Sequence, residues 1–228
     1  MGAPTPVLVP RRLDNGPRDE IWKRLQLDVW DKPYWNVVEG FDDAPTPFNR
    51  SAALNRAAEL AGDWDIAIIA DADSVVPEAR LNDAIEIAQL NQKLVIPHSR
   101  WVNVEVDEAA KFIAGYALLW KKDRIKYNTT VSSVLVVPRT VWDAVNGFDE
   151  RFVGWGWEDT AFMHAVDVIT GGHIRLEGDV YHLDHERPHA DVNRTLDSGY
   201  IANTNHYRNM YKRANDPTQL RRVILKNR

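Results

Sequence analysis

The sequence of 228 residues contains no cysteine and no long apolar run. The lack of cysteine excludes disulfide bonds and thiolate metal ligands. No apolar run approaches the ~20 residues that a membrane-spanning helix needs. The first ten residues are too short and too rich in proline for a signal peptide. We therefore expect a cytoplasmic protein without a transmembrane segment.

Basic residues are in the minority, with 28 Lys and Arg against 33 Asp and Glu and a formal net charge of −5. Proteins that bind nucleic acid usually carry a basic footprint, so we expect no nucleic-acid partner. A basic cluster does lie near the C-terminus, at Arg221, Arg222, Lys226 and Arg228. An end helix of this kind can make a weak peripheral contact with an anionic membrane. A solvated helix face is the alternative that we favour.

Short apolar runs alternate with helical stretches along the chain. The predicted strands are 7–9, 64–70, 94–96, 131–137 and 174–181. The predicted helices are 21–30, 49–60, 77–90, 107–120, 139–145, 158–169 and most of 193–227. This order predicts an α/β fold with a mainly parallel sheet flanked by helices. Ligands of such folds collect at the carboxyl ends of the strands.

A pair of carboxylates, Asp71 and Asp73, follows the most apolar of these strands, with Ala72 between them. Two carboxylates at a strand end repel each other, so a positive group is expected to offset them. A divalent cation that bridges to a diphosphate is the natural candidate. The alternative is a pair of solvated loop aspartates.

Two histidines, His182 and His185, lie three positions apart at the end of the last predicted strand. That spacing allows both to reach one metal ion. Imidazole suits a transition ion such as Mn²⁺ better than Mg²⁺ or Ca²⁺. Taken without Asp73, two surface histidines in a polar turn are the slightly favoured interpretation.

The most informative run is Gly-Phe-Asp-Glu-Arg-Phe-Val-Gly-Trp-Gly-Trp-Glu-Asp at residues 147–159. Its glycines let the backbone bend and approach a ligand. Trp155 and Trp157 offer flat apolar faces that can cover a sugar ring. Glu158 and Asp159 follow directly, and a carboxylate there can take a proton from a sugar hydroxyl. The alternative is a surface loop with two half-buried core tryptophans.

Arginines lie where a phosphate would be expected. Arg11 and Arg12 follow the first strand, and Arg50 starts a predicted helix. Arginine and helix N-termini both favour phosphate. Phe48, close to Arg50 in sequence, can cover a planar base.

In their order these motifs resemble those of nucleotide-sugar glycosyltransferases with the GT-A fold, in particular the β-1,4-galactosyltransferase group and its bacterial relatives. The matching motifs are Val-Pro-Arg-Arg at 9–12, Phe-Asn-Arg at 48–50 with Leu-Asn at 54–55, Asp-Ala-Asp at 71–73, Asn-Gly-Phe at 146–148, Gly-Trp-Gly-Trp-Glu-Asp at 154–159 and His-Leu-Asp-His at 182–185. The resemblance implies a GT-A domain at 1–190 and leaves a helical C-terminal extension at 191–228, packed on or next to it.

The resemblance also implies a role for each matching residue. Asp73, His182 and His185 would hold Mn²⁺, with Mg²⁺ as the second choice. The donor site would comprise Arg11, Phe48, Arg50, Asp71 and Trp155. Asp159 would be the catalytic base, and Glu158 would assist it and hold the acceptor hydroxyls. Trp157 would line the acceptor side.

Four positions depart from the family pattern. Ser132-Ser133 replaces a frequent Gly-Gly pair, Trp157 replaces a frequent glycine, and Thr130 replaces a frequent aromatic residue. These positions lie near donor sugar and acceptor in the family, so galactose as the donor sugar is left open.

The resulting prediction is an inverting, metal-dependent enzyme that moves a hexose or N-acetylhexosamine from a UDP-sugar to a glycan, lipid-linked or protein acceptor. A retaining GT-A transferase and a non-catalytic sugar- or nucleotide-binding module are the alternatives. A nucleotidyltransferase is disfavoured, because it normally has a glycine-rich loop after its first strand, where this chain has Pro-Arg-Arg at 10–12.

Overall fold

The computed structural model describes residues 3–13, 15–42, 47–115, 125–127, 130–185 and 197–225, and for 125–127 the backbone alone. Its strands are β1 Thr5–Arg11, β2 Trp35–Phe41, β3 Ile66–Ala70, β4 Ser74–Val75, β5 Val95–Ile96, β6 Arg100–Val104, β7 Ile125–Tyr127, β8 Val134–Pro138, β9 Ile174–Arg175 and β10 Asp179–Leu183. Its helices are α1 Pro17–Leu25, α2 Arg50–Leu60, α3 Glu78–Asn91, α4 Val106–Ile113, α5 Arg139–Val145, α6 Glu158–Thr170, α7 Ser198–His206 and α8 Pro217–Ile224. Short π-helical turns follow α1 and α7, at Gln26–Trp30 and Tyr207–Tyr211.

The central sheet has six strands in the order β2-β1-β3-β8-β5-β9. Strand β8 runs antiparallel to both of its neighbours, and the other pairings are parallel. Helices cover both faces of this sheet. Successive residues of a strand point to opposite faces, so each strand contributes to two cores. Leu8 and Ile69 enter one hydrophobic core, whereas Val7 and Ile68 enter the other. The predicted α/β fold with a mainly parallel sheet is confirmed.

A second sheet has the order β4-β10-β6-β7. Strand β4 follows β3 after only three residues, 71–73, so the chain crosses from one sheet to the other within the Asp-Ala-Asp motif. The prediction of one strand over 174–181 was wrong. The segment forms β9 in the first sheet and β10 in the second, separated by a turn that contains Gly178.

Helix α2 packs unusually closely on β2. Asn49 caps the helix by accepting a hydrogen bond from the backbone N–H of Ala52 at 3.0 Å. At Gly40 in β2, a side-chain Cβ would collide with the carbonyl oxygen of Ala53. Glycine is therefore required there, and the predicted helix over 49–60 is confirmed. The predicted helix over 107–120 ends at Ile113, and residues 116–120 lie outside the described part.

The C-terminal extension packs against the α/β core. Tyr211, Leu220 and Ile224 are buried in the same hydrophobic cluster as Phe162 of α6. A polar contact supports this packing, since Asp149 accepts a hydrogen bond from the hydroxyl of Tyr211 at 2.8 Å. The division at residue 190 remains a prediction. In the part of the chain that the structure describes, no helix is long and apolar enough to cross a membrane.

Candidate active site

Arg50 joins two of the predicted site motifs. It lies in the first turn of α2, and its Nη2 donates to Oδ1 of Asp71 at 2.7 Å, with Nε at 3.0 Å from the same oxygen. Its Nη1 donates to Oδ1 of Asp159 at 2.7 Å. The three side chains are 12–19% exposed. The loop after β3 and the start of α6 therefore meet around one guanidinium.

The carboxylates at the start of α6 have altered proton affinities. Burial raises the pKa of Glu158 to about 7, the nearby charge of Asp159 adds to the rise, and Arg50 offsets part of it. Burial also raises the pKa of Asp159, against the opposing charge of Arg50. A carboxylate with a raised pKa is better matched to proton transfer near neutral pH. The Oε2 atom of Glu158 is buried and has no hydrogen-bond partner within the described residues.

The two serines that replace a glycine pair lie beside this cluster. The side chain of Ser132 opposes the rise in the pKa of Asp159. The carbonyl of Ser133 accepts from the backbone N–H of Asp71 at 2.8 Å. Ser133 has φ +77°, in the left-handed region that favours glycine. The backbone conformation at this position is thus the one that glycine adopts readily, although the residue is serine.

Asp73, His182 and His185 come together next to this cluster. The Nε2 atom of His185 lies 3.3 Å from Oδ2 of Asp73, and Nε2 of His182 lies 3.9 Å from Oδ1. The pairing of β10 with β4 places them there, since His182 is the register partner of Ser74, the residue after Asp73. The sequence-based prediction that these three side chains are neighbours is therefore consistent with the geometry.

One carboxylate and two imidazoles suit a transition-metal ion in donor type. The orientation of His182 also fits, because its Nδ1 lies 3.3 Å from Oδ1 of Asn103, which directs Nε2 toward Asp73. Within the described residues, however, no group of three or more such side chains has the arrangement of a formed metal site. Arg18 provides the positive charge, with Nε 3.1 Å from Oδ2 of Asp73.

The surroundings of Asp73 favour its ionised form. Its burial favours the neutral form, but Arg18, the hydrogen bond from His185 and the charge of His182 outweigh that effect. Together they hold the pKa of Asp73 well below its usual range. A permanently ionised carboxylate that faces two imidazoles fits a divalent cation.

The tryptophans of the Gly-Trp-Gly-Trp run face the C-terminal extension. Trp155 is 53% exposed, and its ring is stacked on that of Tyr200 with centroids 5.2 Å apart. The half-buried ring of Trp157 stacks on Tyr207 at 4.8 Å. Trp157 has φ +78°, again in the left-handed region that favours glycine. Trp157, which we predict to line the acceptor side, therefore also packs against the C-terminal extension.

The two remaining predicted donor residues, Arg11 and Phe48, lie in different surroundings. Arg11 is only 4% exposed, and its guanidinium pairs with Asp19 at 2.7 Å and Glu39 at 3.0 Å. These contacts do not join Arg11 to Arg50, and its role in UDP binding stays a prediction. Phe48 is half-buried, and its carbonyl accepts from the backbone N–H of Gly154 at 2.9 Å. Phe48 therefore connects the start of α2 to residues 154–157, which we call the tryptophan loop.

Sequence reasoning missed Arg18, Asn103 and Ser132 as members of this site. Arg18 carries a weak signal, since it follows the first strand and its basic end by a few residues. Ser132 was noted only as a departure from the family pattern. Asn103 gave no signal, because β6 was not predicted.

The known proteins that the chain resembles are glycosyltransferases. Residues 116–186 match the family model of the N-terminal domain of galactosyltransferase. This segment contains both Glu158 and Asp159 and both His182 and His185. The comparison with curated proteins finds no match.

Solved structures give the same picture at the level of the fold. A Drosophila β-1,4-galactosyltransferase 7 catalytic domain in complex with xylobiose aligns with TM-score 0.58 and 17% identity, over 89% of this chain and 80% of that chain. A mutant of the same enzyme with manganese, UDP-Gal and xylobiose gives TM-score 0.53 and 18% identity, over 83% and 74%. GalNAc-T7 with UDP, GalNAc and Mn²⁺ gives 0.56 and 10%, over 98% of this chain and 55% of that one.

The solved structures show that the chain has the GT-A fold, and its residues 116–186 are similar to the N-terminal domain of galactosyltransferase. The matched segment carries the candidate base and both histidines.

Proposed function

We propose that the protein transfers a hexose or N-acetylhexosamine from a UDP-sugar to an acceptor hydroxyl, with inversion at the anomeric carbon. The observation that carries this proposal is the bridge from Asp71 through Arg50 to Asp159. It brings a motif suited to a diphosphate and a candidate base to one place. Two of the solved structures named above contain UDP-Gal or UDP, which supports a UDP-sugar as donor.

Asp159 is the proposed base. The acceptor oxygen forms a bond to the anomeric carbon while the bond from that carbon to the diphosphate breaks, and the acceptor proton passes to Asp159. A base of this kind is typically worth 10²- to 10⁴-fold in rate. Arg50 holds the carboxylate in place. Glu158 directly precedes Asp159 and offers a buried acceptor oxygen for a sugar hydroxyl.

Asp73, His182 and His185 are the proposed ligands of a divalent cation, with Mn²⁺ favoured over Mg²⁺ by the imidazoles. When bound, such an ion neutralises the charge that develops on the departing diphosphate. Arg18 is in contact with Asp73 and can pair with a phosphate oxygen instead. Asn103 keeps His182 in the orientation that the site requires.

A donor screen tests the proposal. UDP-Gal, UDP-Glc, UDP-GlcNAc and UDP-GalNAc are compared with GDP- and dTDP-sugars by thermal unfolding and by hydrolysis, each with Mn²⁺ and with EDTA. Ligand at 100 times Kd stabilises the folded state by about 2.7 kcal/mol. We expect stabilisation by a UDP-sugar in the presence of Mn²⁺ only. Equal stabilisation by UDP-, GDP- and dTDP-sugars, with Mn²⁺ and with EDTA alike, contradicts the proposal.

Product stereochemistry separates the inverting reaction from the retaining one. NMR of the product gives the anomeric configuration directly, and retention of the donor configuration contradicts the role of Asp159 as base. Binding of UDP with no transfer or hydrolysis of any donor favours a non-catalytic module.

A further inference from the structure

His98 is a buried histidine that the proposed mechanism does not use. It lies between β5 and β6 and is 1% exposed. Its Nε2 atom lies 3.1 Å from the backbone carbonyl oxygen of Ser132. Because a carbonyl can only accept, Nε2 is the nitrogen that carries the proton. Burial lowers the pKa of His98 to about 4, so near pH 7 the ring is neutral and this N–H is its single donor.

Arg175 holds the same segment from a different strand. It belongs to β9, where it is the register partner of Ile96. Its Nη1 atom donates to the carbonyl oxygens of His98 and Thr130, both at 3.0 Å. This nitrogen carries two N–H groups, so it can satisfy both carbonyls at once. The turn after β5 is thereby tied to the segment before β8.

Residues 130–133, which we call the serine segment, connect these contacts to the candidate active site. The carbonyl of Ser133 accepts a hydrogen bond from the backbone N–H of Asp71 at 2.8 Å. Asp71 is in turn joined to Asp159 through the guanidinium of Arg50. A displacement of Ser133 would therefore reach Asp71 through one hydrogen bond and the proposed base through one further side chain.

The backbone of Ser133 needs this support. Its φ of +77° lies in the left-handed region, which is unfavourable for a residue with a side chain. Such conformations persist only where the surrounding structure fixes them. The contacts from His98 and Arg175 act on the carbonyls of Ser132 and Thr130, just before Ser133, and so they restrain the chain where it enters the unfavourable conformation.

We infer that His98 and Arg175 are positioning residues of the transferase. They fix the serine segment against Asp71 and thereby set the place of Asp71 relative to the proposed base. This inference rests on the proposed function and adds two residues to it. Both residues act through the backbone carbonyls that they hold.

The test compares His98→Leu with His98→Gln. Leucine is apolar and has no N–H, whereas the side-chain amide of glutamine can donate to the same carbonyl. His173→Gln is the matched control, since His173 is a half-buried histidine whose ring pairs with Asp167 at 2.7 Å. Turnover is followed as release of UDP from the donor that the screen identifies, with Mn²⁺ present. It is expressed per UDP-binding site, which calorimetry counts in the same sample.

We expect His98→Leu to lower turnover per site on the order of 10-fold, because a shift of about 1 Å at the reacting groups can cost 10²-fold. The affinity for UDP and the number of binding sites should stay at the wild-type values. His98→Gln should recover most of the lost turnover, and His173→Gln should match the wild type.

A second pair of variants decides the question if His98→Leu does not fold. Arg175→Met removes both carbonyl contacts, whereas Arg175→Lys keeps a donor in the same region. Turnover per site should fall in Arg175→Met and be partly retained in Arg175→Lys.

Unchanged turnover per site in folded His98→Leu or Arg175→Met protein overturns the inference. So does a loss of UDP-binding sites that accounts for the whole loss of turnover, because it indicates a role in folding alone. Equal impairment of His98→Gln and His98→Leu also overturns it, since the hydrogen bond would then be irrelevant. These outcomes leave the proposed function standing. A wild type that releases no UDP from any UDP-sugar contradicts the proposed function itself, and the inference with it.

Discussion

Arg50 donates to Asp159 across 2.7 Å, although the two residues are 109 positions apart in the sequence. The contact places the proposed base under the influence of a residue from a different helix. A planar guanidinium can hold Asp71 and Asp159 at once, because its N–H groups point in fixed, separate directions. The charge of Arg50 also limits the repulsion among the carboxylates that surround it.

Replacement of Arg50 by lysine should therefore lower turnover, even though the charge is kept. A single ammonium group cannot reproduce the two-sided contact, and a base that shifts by about 1 Å can cost on the order of 10²-fold in rate. Steady-state kinetics with the preferred UDP-sugar measures the effect. Arg56→Lys is the control, since Arg56 is exposed in the same helix. Equal activity in both variants would refute the positioning role.

Asp159→Asn should lower turnover by about 10²- to 10⁴-fold while UDP binding persists. The amide keeps the size of the side chain but cannot accept the proton. Turnover and calorimetric UDP affinity are compared with those of Glu158→Gln, which removes the neighbouring charge and keeps the base. If turnover falls only in Glu158→Gln, the assignment of the two carboxylates must be exchanged.

The free energy of unfolding should change between about pH 5 and 8, because Glu158 loses its proton in this range. The pKa of this group is raised to about 7 in the folded state from an ordinary value of 4.5. Its protonated form therefore stabilises the fold fully below about pH 4.5, and that contribution is lost as the pH rises through 7. The pKa reflects burial together with Asp159, Asp71 and Arg50.

Glu158→Gln, which stays neutral, should be more stable than the wild type at pH 8 by about 1–3 kcal/mol. The two proteins should be similar at pH 5, where the wild-type carboxyl is protonated. Urea unfolding at both pH values measures the difference. A constant difference at both pH values would show that Glu158 does not titrate in this window.

Asp73→Asn should abolish the dependence of UDP binding on Mn²⁺. The variant removes the charge on which both histidines converge. Calorimetry with UDP, with and without Mn²⁺, gives the change in affinity. Asp65→Asn is the control, because Asp65 is exposed just before β3. A metal effect that survives in Asp73→Asn rules out Asp73 as a ligand.

Trp157 should tolerate glycine better than alanine. Both replacements lose the stacking on Tyr207, but alanine also bears the cost of the left-handed backbone, about 1–2 kcal/mol. Trp157→Gly should thus be more stable than Trp157→Ala by about 1 kcal/mol. Chemical denaturation of both variants gives the difference. The reverse order would mean that the loop changes its conformation when the indole is removed.

Sequence reasoning recovered the parts of the site that local patterns encode. Asp71 and Asp73 follow a fully buried strand, and their position at the end of the sheet follows from that pattern. The order of the motifs led to Asp159, His182 and His185. Strand β6 was missed because Val102 is its only buried residue, so it lacks an apolar run.

Contacts between distant segments could not be predicted in the same way. The helical pattern of the extension indicates helices but not the surface on which they pack, so the stacking of Tyr200 on Trp155 was unforeseen. The pairing of Arg18 with Asp73 likewise depends on where α1 lies over the sheet. The partners of Arg11 were equally hidden, since a motif position does not show that its side chain pairs with Asp19 and Glu39.

The passage of the chain between two sheets within residues 71–73 constrains its length. Strand β3 is fixed on one side of these residues, and the pairing of Ser74 with His182 fixes the other. One residue inserted after Asp71 would keep the contact between Arg50 and Asp71. It would, however, displace Asp73 from the histidines or shift the register of β4 against β10. We expect this segment to tolerate changes of side chain at Ala72 far better than any change in the number of residues.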